Sequence, residues 1–237
     1  MRFFGYFGWF SNNINYVTNR NFLMKISCLY WNEVHTVDRV ADALWQNKII
    51  LCTSDTILGL FALLTEDGYD KLNKIKGRSD KPYIVLIGSH EKISLFVEKP
   101  LSSTVQTLID HCWPGPLTLI LKAKKDVPSF LQSAQGKIAL RMPNHQGLLL
   151  LLKRFDGLFS TSANKTNMPV PYTIEAVDSL VVRQVAYCVL DSPEQKEILS
   201  MKSSTILDCT GSTIHIVREG AYSVAKLIQY VGNNFEK

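Results

Sequence analysis

At 237 residues the chain is long enough for one large domain with a sizeable core. A hydrophobic share of 46% against 20% charged residues excludes a disordered chain, and no apolar run reaches the length of a membrane span. The net charge of +5 suits an anionic ligand or RNA but is too small to demand either, and no patch of Lys and Arg interleaved with aromatics stands out.

Residues 1–10 are apolar and aromatic and carry only Arg2, and residues 11–21 are polar and rich in Asn. The apolar part is shorter than a membrane span and lacks the small-residue cleavage site of a secretory signal. Arg2, Arg20 and Lys25, with no acid before Glu33, loosely resemble a transit peptide, and Met24 offers an alternative start. We read residues 1–25 as an amino-terminal extension of open status and 26–237 as one folded domain.

From Val34 the apolar positions Val37, Val40, Ala41 and Leu44 follow the period of an amphipathic helix. Residues 49–52 then read as a short buried strand that ends in the hydroxyl-rich turn Thr53-Ser54-Asp55-Thr56-Ile57-Leu58-Gly59-Leu60. Small polar groups at the carboxyl end of a strand are where open α/β sheets usually take ligands, although a capped strand-to-helix turn accounts for them as well. Asp67-Gly68 marks a turn before a short helix over 69–75, and residues 83–88 form a second strand. A helical stretch follows over 91–97, and Ser102 or Ser103 caps the next helix, with Val105, Leu108, Ile109 and Cys112 on its apolar face.

Trp113-Pro114-Gly115-Pro116 is a rigid turn before a third strand over 117–121, in which Thr118 is the one candidate for ligand contact. Residues 138–143 make a strand with Arg141 embedded among apolar neighbours. Such a charge requires a partner, either a buried Asp or Glu or an anionic ligand. The leucine run 148–152 suits a core helix, and 158–161 is a fourth strand running into Ser162-Ala163-Asn164. Thr173 caps a helix reaching residue 181; strands over 186–190, 204–208 and 214–217 and a helix over 223–231 complete the chain. Strands and helices mostly alternate, with short strands adjacent near the end, which predicts an α/β fold with mixed strand directions.

Two stretches concentrate polar chemistry. In Lys76-Gly77-Arg78-Ser79-Asp80-Lys81-Pro82 the proline pushes Lys81 towards an extended path, so Lys76 and Arg78 are expected to point to one side. Ser162 and Asn164 share the same spacing. Two cations and two short hydrogen-bonding side chains suit a polyanion such as a nucleotide phosphate, whereas each stretch alone also fits an ordinary solvated turn. Cys28, Cys52, Cys112, Cys188 and Cys209 are scattered without Cys-x-x-Cys spacing, and His35, His90, His111, His145 and His215 form no ligand set, so no zinc or other metal site is expected and the thiols suit a reducing compartment.

Seven motifs stand in one order: Thr53-Ser54-Asp55-Thr56 with Gly59-Leu60, Lys76-x-Arg78 with Lys81-Pro82, Trp113 to Thr118, Arg141-Met142-Pro143, Ser160-Thr161-Ser162-Ala163-Asn164, Ser204-Thr205-Ile206-Leu207-Asp208, and Arg218-Glu219-Gly220. Together they resemble the YrdC-like family, the threonylcarbamoyl-AMP synthases, over about residues 34–230. The resemblance implies a twisted open mixed α/β sheet with flanking helices around a basic cavity. It implies formation of threonylcarbamoyl-adenylate, pyrophosphate and water from L-threonine, bicarbonate and ATP. A threonylcarbamoyl transferase complex would then use the product to modify tRNA beside the anticodon, in the cytoplasm.

By the same resemblance Lys76 and Arg78 are catalytic and hold phosphates, joined in ATP binding by Thr118, Ser162, Asn164 and Arg218. Threonine falls to Ser54, Arg141 and Ser204. Magnesium is expected to come with ATP, RNA contact to be weak, and no membrane to be involved. The family's Pro-Thr-Asp-Thr-Val-Tyr-Gly-Leu differs here chiefly in Leu58, which lacks the aromatic wall and hydroxyl of the tyrosine, and Asn164 is followed by Lys165-Thr166-Asn167 where Ser-Gly is common. The chain ends soon after Gly220, so the extra carboxyl-terminal domain of longer members is not expected. Two alternatives compete: a non-catalytic RNA-binding module in tRNA or ribosome handling, and a carbamoyl-adenylate-forming activity, which length and cysteine spacing disfavour.

Overall fold

Short runs of consecutive apolar residues, too short for helices, build the central sheet of the computed structural model, which describes residues 16–19, 22–25, 27–78, 81–192, 202–232 and 235–236. Residues 1–10, most of 11–21, and Ser79 and Asp80 of the basic loop lie outside the described residues. In chain order the elements are β1 (Tyr16–Asn19), β2 (Phe22–Lys25), β3 (Cys28–Tyr30), α1 (Thr36–Trp45), β4 (Ile49–Cys52), β5 (Gly59–Leu63), α2 (Glu66–Lys76) and β6 (Ile84–Leu86). Then come α3 (Ile93–Phe96), α4 (Ser103–Cys112), β7 (Leu117–Lys122), β8 (Lys137–Arg141), α5 (Gln146–Leu152), β9 (Leu158–Ser162) and α6 (Ser179–Val182). β10 (Val185–Leu190), β11 (Thr205–Asp208), β12 (Ile214–Arg218), α7 (Val224–Val231) and β13 (Phe235–Glu236) close the chain.

β1 and β2 pair as an antiparallel ribbon. The other eleven strands form one twisted, open, mixed sheet in the order β13-β12-β11-β7-β8-β6-β9-β5-β4-β10-β3. One face is covered along its centre. Leu60, Ala62, Val85, Leu119, Leu140 and Phe159 pack there with Leu72 and Ile75 of α2, Phe96 of α3, and Leu108 and Ile109 of α4.

The opposite face is only partly roofed. Ile50, Leu86, Leu158 and Val189 pack under Val40 and Leu44 of α1 and Leu148, Leu151 and Leu152 of α5. Neither helix continues over the middle of the sheet, and the uncovered part of this face is the floor of a cavity. Incomplete roofing, not a special loop, makes the site.

Several local expectations need correction. Thr65, whose hydroxyl accepts from Gly68 N at 3.1 Å, caps α2 earlier than the turn signal suggests, and the helix runs on to Lys76. Lys76 therefore sits on a helix, not in an extended loop, and Gly77 ends that helix in the left-handed region at φ 65°. Ser102 caps α4 as expected. Thr173 caps only a single 3-10 turn over Ile174–Ala176, and α6 starts afresh with Asp178 as its cap. β5 is a strand that the sequence pattern does not announce, because Gly-Leu-Phe-Ala-Leu is buried on both faces and has no alternation.

Candidate functional site

The cavity of about 580 Å³ lies on the open sheet face. Its floor is a row of register partners: Phe61 faces Ser160, Ser160 faces Ile84, Ile84 faces Ala139, and Ala139 faces Ile120. Partners in adjacent strands present the same face, so the row is a nearly flat, small and apolar surface. Around it stand five cations, Lys76, Arg78, Lys81, Arg141 and Arg218, and no carboxylate lines the cavity among the described residues. One sign of charge over an apolar floor concentrates anions.

Lys76 and Arg141 are the two buried cations of this set, with only 4% and 5% of their surface exposed. The Lys76 Nζ donates to Ser162 O at 2.9 Å and Asn164 Oδ1 at 2.9 Å, also contacts Asn164 O, and lies 3.4 Å from Ser162 Oγ. Ser162 Oγ in turn donates to Asn164 Oδ1 at 2.6 Å. The two polar pairs singled out in the sequence thus form one cluster, because β9 ends beside the last turn of α2. Burial, with the charge of Arg78 adding to it, lowers the Lys76 pKa from 10.5 to about 8.

Arg78 stacks its guanidinium 4.7 Å from the centroid of the Tyr83 ring. Tyr83 is itself fixed by a hydroxyl bond to Asn73 Oδ1 at 2.8 Å. The Arg78 Nε is buried without a hydrogen-bond partner among the described residues.

Arg141, at the end of β8, has a protein counter-ion. Its Nη2 pairs with Asp55 Oδ1, its Nη1 donates to Thr56 Oγ1 at 3.1 Å, and its Nε donates to Gly115 O at 3.1 Å. Of the two partners left open by the sequence, the buried acid is the one in place; two of the five guanidinium N–H groups have no partner among the described residues. The Trp113–Pro116 turn thereby acquires a direct part in the site through its Gly115 carbonyl. Ser54, half-buried beside Asp55, donates to Ile57 O at 2.8 Å and lies 3.1 Å from Thr56 Oγ1.

At the far wall Arg218 donates from Nε and Nη2 to Ser204 O, at 3.0 and 2.8 Å. Ser204 Oγ is 2.8 Å from Thr118 Oγ1. A Cβ on Gly220 would stand 2.1 Å from Ser203 O, so the glycine of the Arg218-Glu219-Gly220 motif permits this close backbone approach.

Eight of the nine sequence-selected residues line the one cavity: Ser54, Lys76, Arg78, Arg141, Ser162, Asn164, Ser204 and Arg218. Thr118 does not. It is fully buried with its hydroxyl directed at Ser204, so it supports the wall, and the expectation of direct ATP contact is corrected. Leu58 is only 1% exposed and belongs to the core, so at that position there is no aromatic wall to lose. Asp55 and Tyr83 are absent from the sequence-based set. Asp55 carried a readable signal, as the one acid within the hydroxyl-rich turn; Tyr83 carried none, since a tyrosine after Pro82 reads as strand.

The model of the Sua5_yciO_yrdC family, described as telomere recombination, matches residues 42–220. A relative from Methanocaldococcus jannaschii is 31% identical over 182 residues, 76% of this chain and 83% of that protein. The threonylcarbamoyl-AMP synthase of Bacillus subtilis is 30% identical over 201 residues, 83% of this chain and 56% of that protein. Pyrococcus abyssi Sua5 complexed with L-threonine matches with a TM-score of 0.74 at 26% identity, over 86% of this chain and 60% of that one. Escherichia coli YciO, 19% identical with a TM-score of 0.70 over 83% of this chain and 96% of that one, shares the fold. The chain thus spans most of the M. jannaschii relative and somewhat over half of the other two longer proteins.

Proposed function

The chain belongs to the Sua5–YciO–YrdC family, and from that premise we propose that it is an L-threonylcarbamoyladenylate synthase, a nucleotidyltransferase acting on L-threonine, bicarbonate and ATP. The observation that carries this reading is the cavity lined by five cations, and by no carboxylate among the described residues, over an apolar floor. Every reacting partner is anionic or becomes so. The threonine amine adds to bicarbonate and expels water, giving a carbamate. A carbamate oxygen then attacks the α-phosphorus of ATP, and the bond from that phosphorus to the bridging oxygen breaks to release pyrophosphate.

Two anions must be brought together, so catalysis is charge compensation and positioning. Lys76 and Arg78 hold the phosphates, with the Arg78 Nε as one donor. Ser162 and Asn164 orient Lys76 and, with Arg218, meet the nucleotide. The floor of Ile84, Ala139 and Ile120 offers the base an apolar surface. The two remaining N–H groups of Arg141 take the threonine carboxylate, and Ser54 and Ser204 hydrogen-bond the amino acid. No side chain serves as a covalent nucleophile.

Magnesium finds no carboxylate among the described residues that line this cavity, so these residues do not fit a protein-held metal. Any magnesium arrives on the phosphates. No described helix is long and apolar enough to cross a membrane. Action of residues 26–237 as one domain in the cytoplasm, and transfer of the product to a complex that modifies tRNA, belong to the same proposal.

The test is pyrophosphate release from ATP by the full chain, with threonine and bicarbonate omitted in turn and Lys76→Ala as control. Release that requires both and collapses in the variant supports the synthase. Release indifferent to threonine refutes it, and salt-sensitive RNA binding without turnover would restore the binding-module alternative.

A further inference from the structure

Asp55 stands where two cavities meet. The first contains Ser54 and Thr56 on either side of it but not Asp55 itself. A second, of about 660 Å³, lies behind and is lined by Asp55 together with Trp31, Asn144, His145 and Asp191. Asp55 thus lines the second space and not the first, and its carboxylate pairs with Arg141, which does line the first.

We propose that Asp55 is a positioning residue for the reaction, holding the Arg141 guanidinium in the one orientation from which its remaining N–H groups meet the amino-acid carboxylate. This rests on the synthase reading above. Three observations carry it. First, the guanidinium is held by three acceptors from two segments, Thr56 Oγ1 and Asp55 Oδ1 in the turn after β4 and Gly115 O in the turn before β7, which fixes its plane. Second, the carboxylate is itself pinned, since Oδ2 accepts from Asn144 N at 3.0 Å; Asp55 thus ties the turn after β4 to the segment after β8. Third, burial and, after it, the nearby charge of Arg141 lower the Arg218 pKa, so these two cations of the cavity repel each other. Placed behind the wall, Asp55 offsets that repulsion for Arg141 without presenting a negative charge to the incoming anions. An acid within the cavity would instead repel them.

The experiment titrates threonine and ATP separately against wild type, Asp55→Asn and Asp55→Glu, following pyrophosphate release, with a urea melt of each protein. Misplacing an anchor by ~1 Å costs up to about 100-fold. Asp55→Asn is therefore expected to lower kcat/KM for threonine by roughly 10- to 100-fold while the KM for ATP stays within about twofold. Asp55→Glu restores the charge one methylene out of place and should fall between the two. If the Asn variant does not fold, the threonine-specific loss in the Glu variant decides. Wild-type threonine kinetics in a folded variant that merely melts earlier would reduce the pair to a structural one and overturn the proposal. An equal loss for ATP and threonine would do the same. Wild-type protein that releases no pyrophosphate in response to threonine would instead refute the synthase reading beneath it.

Discussion

Lys76 ought to make ATP binding fall steeply with alkaline pH. Its ammonium is enclosed by Ser162 and Asn164 and has a pKa of about 8. If triphosphate binds only the charged form, the apparent dissociation constant scales as one plus the ratio of neutral to charged lysine. That factor is about 1.1 at pH 7 and about 11 at pH 9, so affinity should drop roughly tenfold between them. The terminal phosphate, with a second pKa of about 6, contributes little over this range. Direct ATP binding without threonine or bicarbonate avoids the titration of those substrates. Lys76→Arg, charged throughout, should give a flat profile. A flat wild-type profile, or an equal fall in the Arg variant, refutes the assignment.

The stability linkage of Lys76 has a defined sign as well. Its folded pKa lies below the ordinary 10.5, so between pH 8 and 10.5 the unfolded chain holds a proton that the folded one has released. The resulting stabilisation, at most about 3 kcal/mol, is complete above pH 10.5 and lost as pH falls through 8. Tyr83 and Cys209, whose burial raises their pKa values, act in the opposite direction, so the comparison is between wild type and Lys76→Met.

Further outcomes follow from the same contacts. Arg141→Met strands the buried Asp55 charge and should cost about 3–5 kcal/mol in urea unfolding, part of it recovered in the double variant with Asp55→Asn. Ser162→Ala removes the bond that orients Asn164 and should weaken ATP binding about tenfold, with a stability loss of about 1 kcal/mol by thermal melt. In Gly220→Ala the new methyl would meet Ser203 O at 2.1 Å; pushing the Ser203–Ser204 backbone away should cost about 1–3 kcal/mol and loosen Arg218, seen as a raised KM. Leu58→Tyr, which restores the family residue, should destabilise by about 1–3 kcal/mol through overpacking and bring no gain in activity, since Leu58 is in the core.

Much of the site was legible because each motif is a local statement. Lys76 with Arg78, Ser162 with Asn164, and the embedded Arg141 reveal themselves within a few residues, as polar or charged groups where apolar ones or plain turns would serve. Eight of the thirteen described strands were legible for the same reason; β1, β2, β3, β5 and β13 were not, since such brief runs show no period of their own. What the sequence alone determined is therefore an inventory: an α/β chain with cations and short hydroxyl and amide side chains in one order. Which of them touch was decided only by the tertiary structure. Lys76 meets Asn164 because β9 lies between β5 and β6, and Arg141 meets Asp55 across 86 positions because the turn after β4 folds over the end of β8. Even the cavity exists because α1 and α5 stop short of covering one face. Strand order and roofing follow from burying the whole apolar surface at once, a condition that no local pattern contains.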